Sequence, residues 1–178
     1  MIVVEGPDGA GKTTLIKEIQ EVTGLEVAPR VVSKDAEAMV DLVKWTEDNV
    51  ARGFQNLIFD RHRLISEPIY GPILREAPQP GFDDLHWFTH QLFAFYLLRP
   101  VVIYCLPPFE RVWDNVRNDP TNRVVQDKAT IRQIYGAYFN KAVTDHVLER
   151  MNIWVYDYTD QTMDIRPLLF HHIKEKTA

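Results

Sequence analysis

EGPDGAGKTT, residues 5–14, follows the short apolar run Ile2–Val4 near the amino terminus. Residues 6–13 match the pattern G-x-x-x-x-G-K-[ST] in full. Glycines at these positions let the backbone fold so that several N–H groups converge on one anion. A helix starting near Lys12 would aim its positive end at the same point. Lys12 supplies a mobile cation for the β- and γ-phosphates, and the Thr13 hydroxyl is suited to holding Mg²⁺. Gly6, Pro7, Asp8, Gly9, Ala10, Gly11, Lys12, Thr13 and Thr14 are therefore the expected nucleotide-binding set, with ATP and Mg²⁺ as expected cofactors. The loop alone does not separate ATPase, GTPase and kinase. A guanine-reading N/T-K-x-D element is absent, since NKAV at 140–143 lacks the acid.

Outward from this loop, short apolar runs alternate with helical patterns. Strands are predicted at 1–5, 25–32, 56–60, 101–106 and 152–158 from β-branched composition and length. Helices are predicted at 12–22, 35–52, 83–99, 108–118, 129–150 and 163–175. Leu15, Ile16, Ile19 and Val22 share one face of the first; Leu85, Phe88, Leu92 and Phe95 read as the core face of the third. Asp83 or Asp84 is suited to cap that third helix. Residues 66–81 hold Pro68, Pro72, Pro78 and Pro80 and are not expected to form one continuous helix. The alternation implies an α/β/α three-layer fold on a five-stranded parallel sheet, with loops gathered along one edge.

The chain of 178 residues suits one domain spanning 1–178. Its net charge of −5 offers no general attraction to nucleic acid or anionic membrane. No apolar run reaches the ~20 residues of a membrane span, and the amino terminus does not read as a signal peptide. The single cysteine, Cys105, reads as a buried thiol in a reducing compartment. Together these point to the cytoplasm and to no membrane partner. His86, His90, His171 and His172 suggest no metal site, the last two because adjacent helical residues cannot face one ion together.

LIFDRHRLISEPIYG, residues 57–71, carries the choice of chemistry. In a sheet of this type the third strand ends beside the first, so Asp60 and Arg61 would face the phosphate loop. A carboxylate there can hold Mg²⁺ or accept a proton from an attacking hydroxyl. An arginine there can grip an acceptor phosphate bidentately. Arg117 and Arg123 flank a Pro/Asn turn and are candidates for contact with the transferring phosphoryl group. Arg111, Lys128 and Arg132 read instead as partners of Glu110, Asp114 and Asp127 on solvated faces. Trp87, Gln91 and Tyr70 are candidates for stacking on, or hydrogen bonding to, an acceptor base.

Three segments resemble the thymidylate kinase and deoxynucleoside kinase group of P-loop kinases: EGPDGAGKTTL, FDRHRLIS and YCLPPFERVWDNVRND. The resemblance implies the P-loop kinase fold, with a helical lid segment at about 118–128 and an acceptor-binding region at about 61–98. It implies that Asp8 approaches the acceptor sugar. It places Asp60 and Arg61 at the reacting phosphoryl group and Lys12, Arg117 and Arg123 around its charge, making these five the catalytic set. Thr13 and Asp60 are the implied metal ligands, and Asp8, Arg61, Tyr70, Trp87 and Gln91 the acceptor contacts. The expected activity is ATP-dependent conversion of a dNMP to a dNDP, in a short, phage-type member working in the host cytoplasm. Three residues, Arg63, Leu64 and Ile65, separate His62 from Ser66 where the pattern has two, and residues 66–84 form an unusual insert. Acceptor identity therefore stays open. One alternative is a phage kinase that phosphorylates 5-hydroxymethyluracil within DNA, its groove lined by Arg61, Arg63, Arg75, Arg117 and Arg123. A non-enzymatic ATP-binding switch is another. The expected partner is a small nucleotide, with DNA under the first alternative, and a homodimer is allowed. Adenine contacts are expected near DYTD, residues 157–160.

Overall fold

The structure is a computed structural model that describes residues 1–28, 57–75, 82–119, 127–147 and 152–167, with Lys44, Glu47, Asp48, Ala51 and Leu169. Five strands form one parallel sheet: β1 Ile2–Glu5, β2 Glu26–Val27, β3 Leu57–Asp60, β4 Val101–Cys105 and β5 Asn152–Tyr156. Their order is β2-β3-β1-β4-β5. The strand β1 lies between β3 and β4, with Val4 opposite Asp60 and Glu5 opposite Tyr104. Residues 1–4 and 101–105 are wholly buried, as a central parallel strand covered on both faces requires.

Five helices are described: α1 Lys12–Thr23, α2 Arg63–Leu74, α3 Leu85–Leu97, α4 Phe109–Asn118 and α5 Lys128–Val147. The helix α1 packs on β1, β2 and β3 through buried Leu15, Ile16 and Ile19, and ends at Gly24 in the left-handed conformation. Asp84 caps α3 by accepting from Trp87 N at 3.0 Å. Phe95 is fully buried and stacks on His62 at 4.5 Å, but Leu85 is 76% exposed and does not belong to the core face predicted for it. The helix predicted at 35–52 lies mostly outside the described residues; Lys44, Glu47, Asp48 and Ala51 within it are helical. The closing helix predicted at 163–175 begins only at Arg166 and is mostly outside them too.

The helix α2 departs from expectation. It runs through Pro68 and Pro72 and ends at Leu74, with residues 76–81 outside the described residues. Each proline removes an N–H, so the carbonyls four residues earlier lose their helical partner. Both prolines are exposed and sit four residues apart on one outer stripe, so neither ring displaces a core side chain. The inner face of the helix buries Leu64, Ile65 and Ile69.

Glu5, the last residue of β1, is fully buried. One carboxylate oxygen accepts from His62 N at 2.6 Å and the other from the Tyr138 hydroxyl at 3.0 Å. This joins β1 to the start of α2 and to α5. Burial pushes the Glu5 carboxyl up to about 7, against the pull of the His62 N–H. The unfolded chain then ionises Glu5 first as pH rises, so this group loses stability between its unfolded value and about 7. His62 acts oppositely: burial, aided by the Arg63 charge, lowers it to about 3, and its contribution is lost as pH falls below its unfolded value. The two effects oppose each other in mild acid, so Glu5 is read best by difference. We expect the unfolding free energy of Glu5→Gln, relative to wild type, to rise by on the order of 2–3 kcal/mol from about pH 5 to about pH 8, by urea denaturation. A pH-independent difference would mean that Glu5 does not hold a proton in the fold.

Candidate active site

The phosphate loop links β1 to α1, with Gly9 and Gly11 at φ 76° and 86°. Neither position has room for a side chain. A Cβ on Gly9 would lie 2.7 Å from the Val112 carbonyl oxygen of α4, and one on Gly11 would meet the Tyr158 ring at 2.9 Å. The glycines thus answer to close packing of α4 and Tyr158 as well as to the needs of an anion. Lys12 is buried, and its Nζ donates to the Pro7 carbonyl at 2.6 Å. Burial and then the Arg61 charge lower Lys12 to about 8, while Asp8 and Asp60 draw it upward. A triphosphate placed at this ammonium would oppose both lowering effects.

The strand β3 delivers Asp60 beside Val4, at the mouth of the loop. The next residue, Arg61, takes φ 66°, a left-handed conformation that costs a residue with a side chain on the order of 1–2 kcal/mol. Its N–H still donates to Val4 O at 2.9 Å, one step beyond the strand pairing. The turn brings the guanidinium back over the loop. Arg61 Nη2 donates to Asp8 Oδ1 at 2.6 Å, to the Tyr70 hydroxyl at 2.7 Å and to Gly6 O at 3.3 Å. The Tyr70 hydroxyl donates in turn to Asp8 Oδ2 at 3.4 Å. Asp8, Arg61 and Tyr70, the expected acceptor contacts from three different segments, form one cluster. Tyr70 enters through its hydroxyl and through a ring lying 4.8 Å under the guanidinium carbon.

Trp87 and Gln91 sit on α3, both half-buried. The Trp87 indole donates to Glu47 at 2.7 Å and stands edge-on to Phe82. Arg117 is exposed and pairs with Asp114 at 2.7 Å, three residues back on α4. Arg123 and most of the expected lid, residues 120–126, lie outside the described residues. Lys128 and Arg132 both pair with Glu110, at 2.7 and 3.4 Å. Asp127 caps α5 through Ala129 N and Thr130 N and pairs with none of the cations among the described residues. Cys105 is buried, and burial pushes its thiol up to about 12. Among the described residues no helix is long and apolar enough to cross a membrane.

Sequence reasoning missed Glu5, Tyr138 and Asn115. Glu5 carried a usable signal, an acid closing a buried apolar strand, which is the same signal that marked Asp60. Tyr138 and Asn115 carried none, because their partners lie 133 and 106 residues away.

The sequence matches no protein-family profile and no curated protein. Solved structures do match the fold over nearly its whole length. Deoxyadenosine kinase from M. mycoides, with products dCMP and dCDP, is 16% identical over 99% of this chain and 98% of its own, with a TM-score of 0.61. The same enzyme with bound dATP is 16% identical over 99% of both chains, at 0.58. The YorR protein from Bacillus subtilis, in complex with phosphorylated GDP, is 14% identical over 99% of this chain and 96% of its own, at 0.62. The five-stranded parallel order, the phosphate loop after β1 and these likenesses agree: the chain has the P-loop kinase fold.

Proposed function

We propose that the protein is an ATP-dependent kinase that passes the γ-phosphoryl group to a deoxynucleotide monophosphate, giving a dNDP and ADP. The observation that carries this reading is the Asp8–Arg61–Tyr70 cluster seated on the phosphate loop. A strained arginine held beside a phosphate loop by a carboxylate and a tyrosine supports a second anion site there. Arg61 would hold the acceptor's phosphate in line with the donor, and Asp8 would accept from a sugar hydroxyl. Lys12 would follow the charge that moves onto the β–γ bridging oxygen as that bond breaks. The loop's glycine cradle and the exposed Thr13 hydroxyl at the start of α1 fit a metal-bound triphosphate, with Asp60 at the neighbouring strand end. Thr13 and Asp60 would hold Mg²⁺, which would supply charge neutralisation at the β- and γ-phosphates.

The ion pairs favour a small acceptor over DNA. Arg75 and Arg117, two of the five arginines that would line a DNA groove, each pair with a carboxylate outside the phosphate loop: Glu67 and Asp114. The deciding assay supplies labelled ATP with each dNMP, or with duplex DNA containing 5-hydroxymethyluracil. We expect label in a dNDP, and none in that product with Lys12→Ala at an unchanged melting temperature. Label only in DNA would select the other acceptor, and full activity in Lys12→Ala would remove the kinase reading. Asp60→Asn is expected to lower kcat by 10²-fold or more while changing the Kd for ATP less than about threefold. An unchanged kcat would remove Asp60 from the chemistry.

We also propose that the protein pairs with a second copy through α5. Phe139, Val143 and Val147 recur every four residues along this helix and are 53%, 50% and 72% exposed. Light scattering is expected to give twice the chain mass for wild type and a single chain's mass for Val143→Glu. A wild-type monomer at micromolar concentration would reject the pairing.

A further inference from the structure

The helix α4 packs on the phosphate loop at Gly9, and its Asn115 side chain hydrogen-bonds it. Asn115 Nδ2 donates to the Gly9 carbonyl at 2.7 Å and to the Tyr158 hydroxyl at 2.8 Å. The Gly9 oxygen can only accept, so it fixes which end of the amide faces the loop. Tyr158 follows β5 and is held on its own account. Its neighbour Asp157 accepts from Thr159 N at 2.8 Å and from the Thr159 hydroxyl at 2.6 Å, which closes the turn. The Tyr158 ring lies against Gly11 at the start of α1, and 36% of the residue is open to solvent. One amide therefore ties together the peptide that precedes the loop's second half and an aromatic ring with an open surface beside it.

We infer that Asn115 is a positioning residue that locks the phosphate loop to an aromatic seat, Tyr158, for the base of the donor nucleotide. The inference rests on the kinase reading above and deepens its donor site. Binding energy at the two ends of the donor, base and triphosphate, is then delivered to one preorganised unit. With the amide removed, the Gly9–Ala10 peptide keeps only the long bond from Ala10 N to Pro7 O at 3.4 Å, and the loop's N–H groups are held less firmly toward phosphate. With the ring removed, only a ligand that carries a base is affected.

Two ligands separate these roles: MgATP and inorganic tripolyphosphate with Mg²⁺, both by calorimetric titration. Asn115→Ala is expected to weaken both about tenfold, the scale of one lost hydrogen bond. Tyr158→Ala is expected to weaken MgATP about tenfold and to leave tripolyphosphate within about twofold. In turnover, Asn115→Ala should raise KM for ATP and leave kcat within about threefold. Tyr158→Phe keeps the ring and loses only the tie, so it should weaken MgATP about threefold, and it carries the test should Asn115→Ala fail to fold. Unchanged MgATP affinity in folded Asn115→Ala or in Tyr158→Phe would overturn the inference while leaving the kinase reading in place. So would loss of MgATP with tripolyphosphate untouched in Asn115→Ala. Wild-type protein that binds neither ligand would overturn the kinase reading itself, and this inference with it.

Discussion

Glu5 holds the two halves of the site in one frame. Its carboxylate ends the central strand and accepts at once from the backbone of His62 and the side chain of Tyr138. Without that acceptor, the N–H that opens α2 would lose a buried hydrogen bond, at a cost on the order of 1–3 kcal/mol. The entry to α2 sets where Arg61 turns, and the turn of Arg61 sets where its guanidinium meets Asp8. The phosphate loop on one side and the arginine on the other are thus referred to the same strand end. His62 reinforces this point: its Nδ1 accepts from Leu64 N at 3.4 Å and its ring stacks on Phe95, so the residue after Arg61 is fixed by packing and by capping.

Charge in this region is balanced by position. Lys12 and Arg61 approach each other closely enough to lower the lysine, and Asp8 and Asp60 offset part of that effect. Two cations kept in proximity would repel in an open protein, and here the fold supplies the compensation. Behind this region lies a second polar network. Tyr104 donates to Asp145 at 2.6 Å, and Lys141 pairs with the same carboxylate. Tyr104 also meets Tyr138 edge-on, which connects this network to Glu5 through packed rings.

Much of the fold was legible from local patterns. The five strands stand near their predicted positions, because short β-branched runs between helical periods leave few other assignments. Asp60 and Arg61 fall beside the phosphate loop because the parallel order places β3 next to β1. The helix α2 was not legible. Its two prolines argue locally against a helix, whereas in the fold both are exposed while Leu64, Ile65 and Ile69 are buried and anchor the helix. With α2 unseen, Tyr70 could be named as a ring for stacking but not as the hydroxyl that joins Arg61 to Asp8. Arg117, a candidate phosphate contact by its place beside the turn, pairs in the structure with Asp114 on the same helix turn.

The amino-acid sequence by itself determined the alternation of strand and helix, the phosphate loop and the acid–arginine pair after β3. Each is written in neighbouring residues, where covalent spacing and periodicity constrain geometry directly. Tertiary structure alone decided which groups meet. Asp8 and Arg61 are 53 residues apart, Gly9 and Asn115 are 106 apart, and Glu5 and Tyr138 are 133 apart. Contacts at those separations leave no local pattern. They form because a buried carboxylate, carbonyl or hydroxyl removed from water must find a partner, and only the packed sheet and its helices bring those partners within reach.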